Sequence, residues 1–213
     1  LLPDGVGVRN FLYTDFIDLA LSFGHEVSLW SDEAILNLIN NERIKKYYLP
    51  KDKSTSPFTD IKRRAWSRGL LEYQSKYFNN PVYLRYIFHN EVTSAKSLIR
   101  NIVEKLVLVT HRGRKRLNKL RNQYLEEYRK STYFTLCLEQ IKIIQPDVVF
   151  CTHQRSSLAI SPLLAAQIIG VKTACFIYSW DNMPKANLYV KSDYYFVWSS
   201  HMKEEILMYY PEL

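Results

Sequence analysis

Glycine is scarce in this chain, with six in 213 residues. Gly5-x-Gly7 begins a dinucleotide-binding fingerprint, but Asn10 stands where the third glycine would fall. That departure argues against a nicotinamide cofactor site, although Asp32 lies near the place of a ribose-binding acid. Two readings stay open for "DGVGVRN": a tight strand-to-helix turn, or a turn that lets a ligand approach the backbone closely. Cysteine is scarce too. Cys137, Cys151 and Cys175 show no paired spacing, which excludes a disulfide framework and a Cys-x-x-Cys zinc site. Cys151 and Cys175 sit in apolar runs and read as packed thiols of a reducing compartment. No apolar run approaches the roughly 20 residues of a membrane span, and the first residues lack the basic region of a signal peptide.

Acidic residues are in deficit, 21 against 29 Lys and Arg, for a net charge of +8. Such a balance favours anionic partners: nucleic acid, anionic lipid or phosphorylated ligands. No RNP, KH or zinc-finger pattern supports nucleic acid.

What is present is an α/β rhythm in two stretches. Leu1–Leu2 reads as the tail of a strand beginning upstream, so the chain reads as part of a longer protein. The glycine turn, a helix over "FLYTDFIDLALSF" stopped by Gly24, and a strand at "HEVSLW" complete a βαβ opening. Ser31 or Asp32 is a candidate cap for a helix running to Asn40, and "KKYYLP" reads as a short strand. From Thr59 to Gln145 the chain is rich in Leu, Lys, Arg, Glu and Tyr and reads as several helices. The last of these is expected to run from Arg114 to Ile144. "PDVVFCT", "KTACFIYS" and "DYYFVW" then read as buried strands, separated by a helix with a Gly170 stop and followed by the helix "SSHMKEEILMYY". This predicts a Rossmann-like α/β fold: a parallel, doubly wound sheet flanked by helices, with a helical insertion in mid-chain. The organisation expected is one domain over 1–213, with 1–50 and 146–213 forming the core and 51–145 the insertion.

In such a sheet ligands meet the loops beyond the carboxyl ends of the strands. Three strand-end loops carry suitable chemistry. The first offers Gly5, Gly7, Arg9 and Asn10. The second offers His153, Gln154 and Arg155; an imidazole there can take a hydroxyl proton, or can merely hydrogen-bond its loop. The third is "SWDN": Trp180 as a ring for stacking on a sugar, Asp181 as a second base, and Asn182 as donor and acceptor. The competing reading is an Asx-type turn with Trp180 in the core. His25 reads as structural; His89, His111 and His201 read as solvated helix positions. The charge run "HRGRKRLNKLR" contains Arg112, Arg114, Lys115 and Arg116 and reads first as a solvated helix face, then as an anionic-membrane contact.

Taken together, "PDVVFCTHQ", "SLAISPLLAAQIIG", "KTACFIYSWDNM" and "SDYYFVWSSHMKEEIL" resemble the N-terminal, Rossmann-like domain of GT-B glycosyltransferases, especially bacterial enzymes of surface-polysaccharide assembly. The likeness covers 1–50 and 146–213; the helical middle has no counterpart. It implies an acceptor-binding half that works with a C-terminal donor domain not present in this chain. It implies a nucleotide-sugar co-substrate, a glycan or lipid-linked acceptor, no metal and no tightly bound cofactor. His153 becomes the first base candidate and Asp181 the second, with Gly5, Gly7 and Asn10 lining the cleft floor. The implied place is the cytoplasm, peripherally on the inner membrane face. Two rival readings are a non-hydrolysing nucleotide-sugar epimerase and a non-catalytic module docking on a membrane or partner.

Overall fold

The computed structural model describes residues 1–53, 55–88, 93–185 and 187–212; His89 lies outside the described residues. In chain order the elements are α1 (Gly5–Gly7), a wide helical turn (Val8–Leu12), α2 (Phe16–Ser22), β1 (Ser28–Ser31), α3 (Glu33–Leu36), β2 (Lys45–Tyr48), α4 (Pro57–Tyr77), α5 (Ala95–Thr110), α6 (Arg114–Arg129), α7 (Thr132–Ile144), β3 (Val148–Cys151), α8 (Ile160–Ile168), β4 (Lys172–Phe176), β5 (Tyr194–Phe196) and α9 (Ser200–Tyr209). The chain is mixed α/β, with small parallel sheets flanked by helices. It divides into two compact units. The first is Leu1–Lys53, Thr132–Ser179 and Tyr189–Ser199; the second is Ser54–Ser131, Trp180–Leu188 and Ser200–Leu213.

In the first unit β1 pairs with β2, and β3 with β4 and β4 with β5, all parallel. The Leu1–Leu2 segment joins the two sheets. On one side the Leu2 N–H donates to Trp30 O at 2.9 Å and Leu2 bridges Ser31 in parallel. On the other, the Leu1 nitrogen donates to Phe150 O at 2.8 Å and the Thr152 N–H to Leu1 O at 3.1 Å. The spatial order is therefore β2, β1, Leu1–Leu2, β3, β4, β5. With Leu1–Leu2 counted as first, this is the 3-2-1-4-5-6 order of the doubly wound dinucleotide-binding architecture.

Alternation along the strands distributes the helices. Leu2 and Leu29 join Ile17 of α2, Leu36 of α3 and Ile44 in one buried cluster. Trp30 points to the opposite face, where its indole N–H donates to Gln140 Oε1 of α7 at 2.8 Å. Each sheet face thus has its own helical layer. All three cysteines are free and fully buried; burial pushes the Cys137 thiol up to about 12.

Three local expectations change. The helix expected from Arg114 to Ile144 is two helices, broken at Lys130–Ser131, where the Ser131 hydroxyl donates to Tyr128 O at 2.6 Å and closes α6. The second of them, α7, clusters with the first unit. The helix expected as far as Asn40 is the single turn α3; the Asp32 side chain makes no cap and pairs with Lys53 instead.

The second unit is helical. Gly69 on α4 stands where a Cβ would meet Leu117 Cδ2 at 2.6 Å and Leu108 Cδ2 at 2.9 Å, so its absence lets α5 and α6 close on α4. Trp66 is 1% exposed and meets the Tyr124 ring edge-on at 5.9 Å. Glu104 of α5 is buried against α4, with Arg68 at 3.8 Å. Burial raises its pKa, outweighing Arg68, Arg64 and Arg100. A raised folded-state pKa gives stability that is complete below the unfolded value near ~4.3 and is lost as pH rises through the folded value. Glu104→Gln should therefore melt higher than the parent at pH 7, and the gain should fade on acidification towards pH 4. A thermal-melt series across that window checks it.

Candidate functional site

The order of strands fixes where a site can form in the first unit. The side on which successive strands are added switches between Leu1–Leu2 and β3, and in open parallel sheets loops at such a point diverge and leave a crevice. The two loops at this switch point are Pro3–Asn10 and Thr152–Ser157, so the glycine turn and the histidine loop are neighbours by topology.

Side chains confirm the proximity. The Asp4 carboxylate divides its two oxygens. Oδ1 accepts from the Val6 N–H at 3.1 Å and caps the glycine turn; Oδ2 pairs with His153 Nδ1. The ring of His153 is 13% exposed and Asp4 33%. Tyr178, leaving β4, meets the imidazole edge-on at 4.8 Å. A carboxylate on Nδ1 favours the Nδ1–H tautomer and leaves the Nε2 lone pair available. That Nε2 is buried and makes no hydrogen bond among the described residues, and neither does Oε1 of Gln154, which is 4% exposed. Two unsatisfied acceptors on consecutive residues of one short loop cost about 1–3 kcal/mol each. A ligand hydroxyl or amide brought to them removes that cost.

Gly7 makes the arrangement compact. Its backbone is ordinary right-handed helix, φ −62°, so conformation does not demand glycine. Space does: a Cβ would lie 2.1 Å from Thr152 Oγ1 and 2.7 Å from Leu2 Cδ2. Gly7 is thus a contact between the turn and the end of β3, whereas a Cβ on Gly5 would meet nothing within 4 Å. Arg9 is exposed and its Nε donates to Asn10 Oδ1 at 3.2 Å. Arg155 is half-buried.

The third loop behaves differently. Trp180, Asp181 and Asn182 cluster with the second unit. Trp180 is 72% exposed, so the reading that packs it in the core fails. Asp181 is paired with Lys185, whose ammonium lies 5.6 Å from the Tyr86 ring centroid. Asn182 is buried. In the charge run, Arg112, Lys115 and Arg116 are exposed. Arg114 is turned inwards, donating to Tyr209 O at 2.9 Å and pairing with Glu212. His111 bonds Val107 O at 2.8 Å, His201 is exposed, and His25 is exposed at the end of α2.

Sequence reasoning named His153 but missed Asp4, the residue that gives it a role. The available signal was an acid directly after the first strand, before a glycine turn. It also missed an aromatic strip on the α2 side of β3–β5. Phe16 stacks on Phe150 at 5.7 Å, Phe150 meets Phe196 at 5.8 Å, and Phe11 meets Phe176 at 5.1 Å. Among the described residues no group of three or more His, Cys, Asp or Glu is placed to hold a metal ion, and no helix is long and apolar enough to cross a membrane.

No protein-family model, curated protein or solved structure matches this chain.

Proposed function

We propose that the first unit is the acceptor-binding part of a glycosyl-transferring enzyme, which moves a sugar from a nucleotide-sugar donor to a hydroxyl of a glycan or lipid-linked acceptor. The observation that carries the reading is the Asp4–His153 pair at the switch point, with Nε2 making no hydrogen bond among the described residues. Support also comes from the strand order, which puts both loops at a switch point, where open α/β sheets bind ligands.

In the proposed step His153 Nε2 takes the acceptor hydroxyl proton as that oxygen bonds to the anomeric carbon. The bond from that carbon to the diphosphate breaks, and the diphosphate leaves with the electron pair. Asp4 holds Nδ1–H and stabilises the imidazolium that forms. Gln154 Oε1 receives a second acceptor hydroxyl and fixes its orientation. Asp181 has a weaker claim as the base, because Lys185 already neutralises it.

Ligand-observed NMR against a panel of oligosaccharides and polyprenyl-phosphate sugars tests the reading. At least one should bind, and His153→Ala with Gln154→Ala should weaken it by roughly tenfold or more, the loss expected for two buried hydrogen bonds. Binding to none of them, or binding indifferent to both changes, contradicts it.

A further inference from the structure

Helix α5 buries a carboxylate and leaves its widest apolar stripe in water. An amphipathic helix in a water-soluble unit turns its apolar stripe inwards and its charges outwards. In α5 the inward side buries Glu104, 6% exposed, and Leu108, 9% exposed, with Val103 and Val107 half-buried beside the half-buried polar Ser97, Arg100 and Asn101. The side turned to water carries Leu98 at 48% exposed, Ile99 at 61%, Ile102 at 50%, Leu106 at 61% and Val109 at 56%. At about 100° per residue these five span roughly 100° of the circumference, with Glu104 almost opposite their centre. The stripe runs the length of the helix. Its spacing repeats at Ile99, Ile102, Leu106 and Val109, so it is continuous rather than a scatter of single exposed residues.

Charge identifies what covers it. Lys105 and Lys96 flank the stripe on its two sides, both exposed. The turn after α5 and the first turns of α6 add Arg112, Lys115, Arg116 and Lys119, all exposed. From Thr93 to Leu125 the only acid is Glu104, which faces inwards. A second copy of this chain laid along the stripe would bring like charges together. An apolar partner protein would leave the cations unanswered. A surface that is apolar at one depth and anionic at the next answers both.

We propose that α5 is an interfacial membrane-binding helix. It lies in the plane of an anionic bilayer surface with its apolar stripe about 5–10 Å into the headgroup boundary, and its flanking lysines and the following basic run sit among the phosphates. This rests on the second unit alone and is independent of the transfer reading, since none of its residues belongs to the His153 loop. Where that reading also holds, the helix keeps the protein at the surface where lipid-linked acceptors reside.

Vesicle sedimentation tests it. The chain should sediment with phosphatidylglycerol vesicles and stay in solution with phosphatidylcholine vesicles, and salt should release it. Replacing Ile99, Ile102, Leu106 and Val109 together by Ser should cut binding by roughly tenfold or more, because the apolar insertion is lost. Lys96→Gln with Lys105→Gln should weaken binding and flatten its salt dependence. All six side chains are exposed or half-buried at most, so folding should be preserved; Ile102→Asp alone is a lighter second variant. No sedimentation with phosphatidylglycerol, or full binding by both the Ser variant and Ile102→Asp, overturns the proposal. So does sedimentation equilibrium that shows a dimer without lipid which the Ser variant abolishes, with no vesicle binding by the parent.

Discussion

Measured in a protein that also carries a donor-binding domain, His153→Ala should lower the rate of the proposed sugar transfer by about 10²–10⁴-fold, the usual contribution of a positioned general base. The loss should fall mainly on kcat, because the proton moves only in the transition state, with acceptor KM raised a few-fold by the lost hydrogen bond to the hydroxyl. Asp4→Asn gives a loss of similar order by a different route. An amide in place of the carboxylate no longer favours Nδ1–H, and the proton moves to Nε2, where it blocks the base. The two changes act on one unit, so Asp4→Asn added to His153→Ala costs little more than either alone. A double-mutant cycle on transfer kinetics checks this. Additive losses would mean that Asp4 works only through its cap on the Val6 N–H.

Gly7→Val unfolds or severely loosens the first unit. The added Cβ alone lies 2.1 Å from Thr152 Oγ1 and 2.9 Å from Thr152 Cβ, and Thr152 is 3% exposed. Thr152 cannot swing aside easily, since its own N–H and hydroxyl both reach Leu1 O. The turn must therefore lift off the sheet at the one point where its two halves join. Overpacking of this kind costs about 1–3 kcal/mol for a methyl, and the branched side chain adds to it. Gly7→Ala should be milder, and Thr152→Ala should restore part of its stability by removing the closest atom. Denaturant melts of the single and double variants test the pair; a neutral Gly7→Ala would show that the turn is free to shift.

Much of the fold is legible in the residues. "VVFC" and "TACF" are apolar runs too short for helices, and both are strands. Gly24 and Gly170 end helices with φ of +81° and +82°, the left-handed conformation that glycine alone enters without strain. The parallel order follows, because strands separated by helices cannot pair as hairpins. The break between α6 and α7 was not legible: neither glycine nor proline marks it, and apolar spacing continues across Lys130–Ser131. Nor was α5. Its stripe is plain in the sequence, but pattern reading assumes that an apolar face is a buried one, and Glu104 occupies the inward position here.

The site was legible in part for a topological reason. A parallel sheet gathers strand ends, so Gly7 and His153 were expected near one another although 146 positions separate them. Topology does not say which side chains touch. The pairing of Asp4 with His153, the orphaned Gln154 Oε1 and the steric role of Gly7 depend on sub-ångström packing that no spacing rule contains. The "SWDN" loop shows the converse: its residue types suit sugar binding, yet Asp181 is already engaged by Lys185 within the second unit.

Asp4 meets His153 at Nδ1, which favours the Nδ1–H tautomer, and Nε2 makes no hydrogen bond among the described residues. Long-range ¹H–¹⁵N NMR of the imidazole, recorded above its titration, reads this directly. A proton on Nδ1 and an unprotonated Nε2 are expected in the parent chain, with the preference lost in Asp4→Ala. A proton found on Nε2, or a ring that exchanges freely between tautomers with Asp4 present, contradicts it.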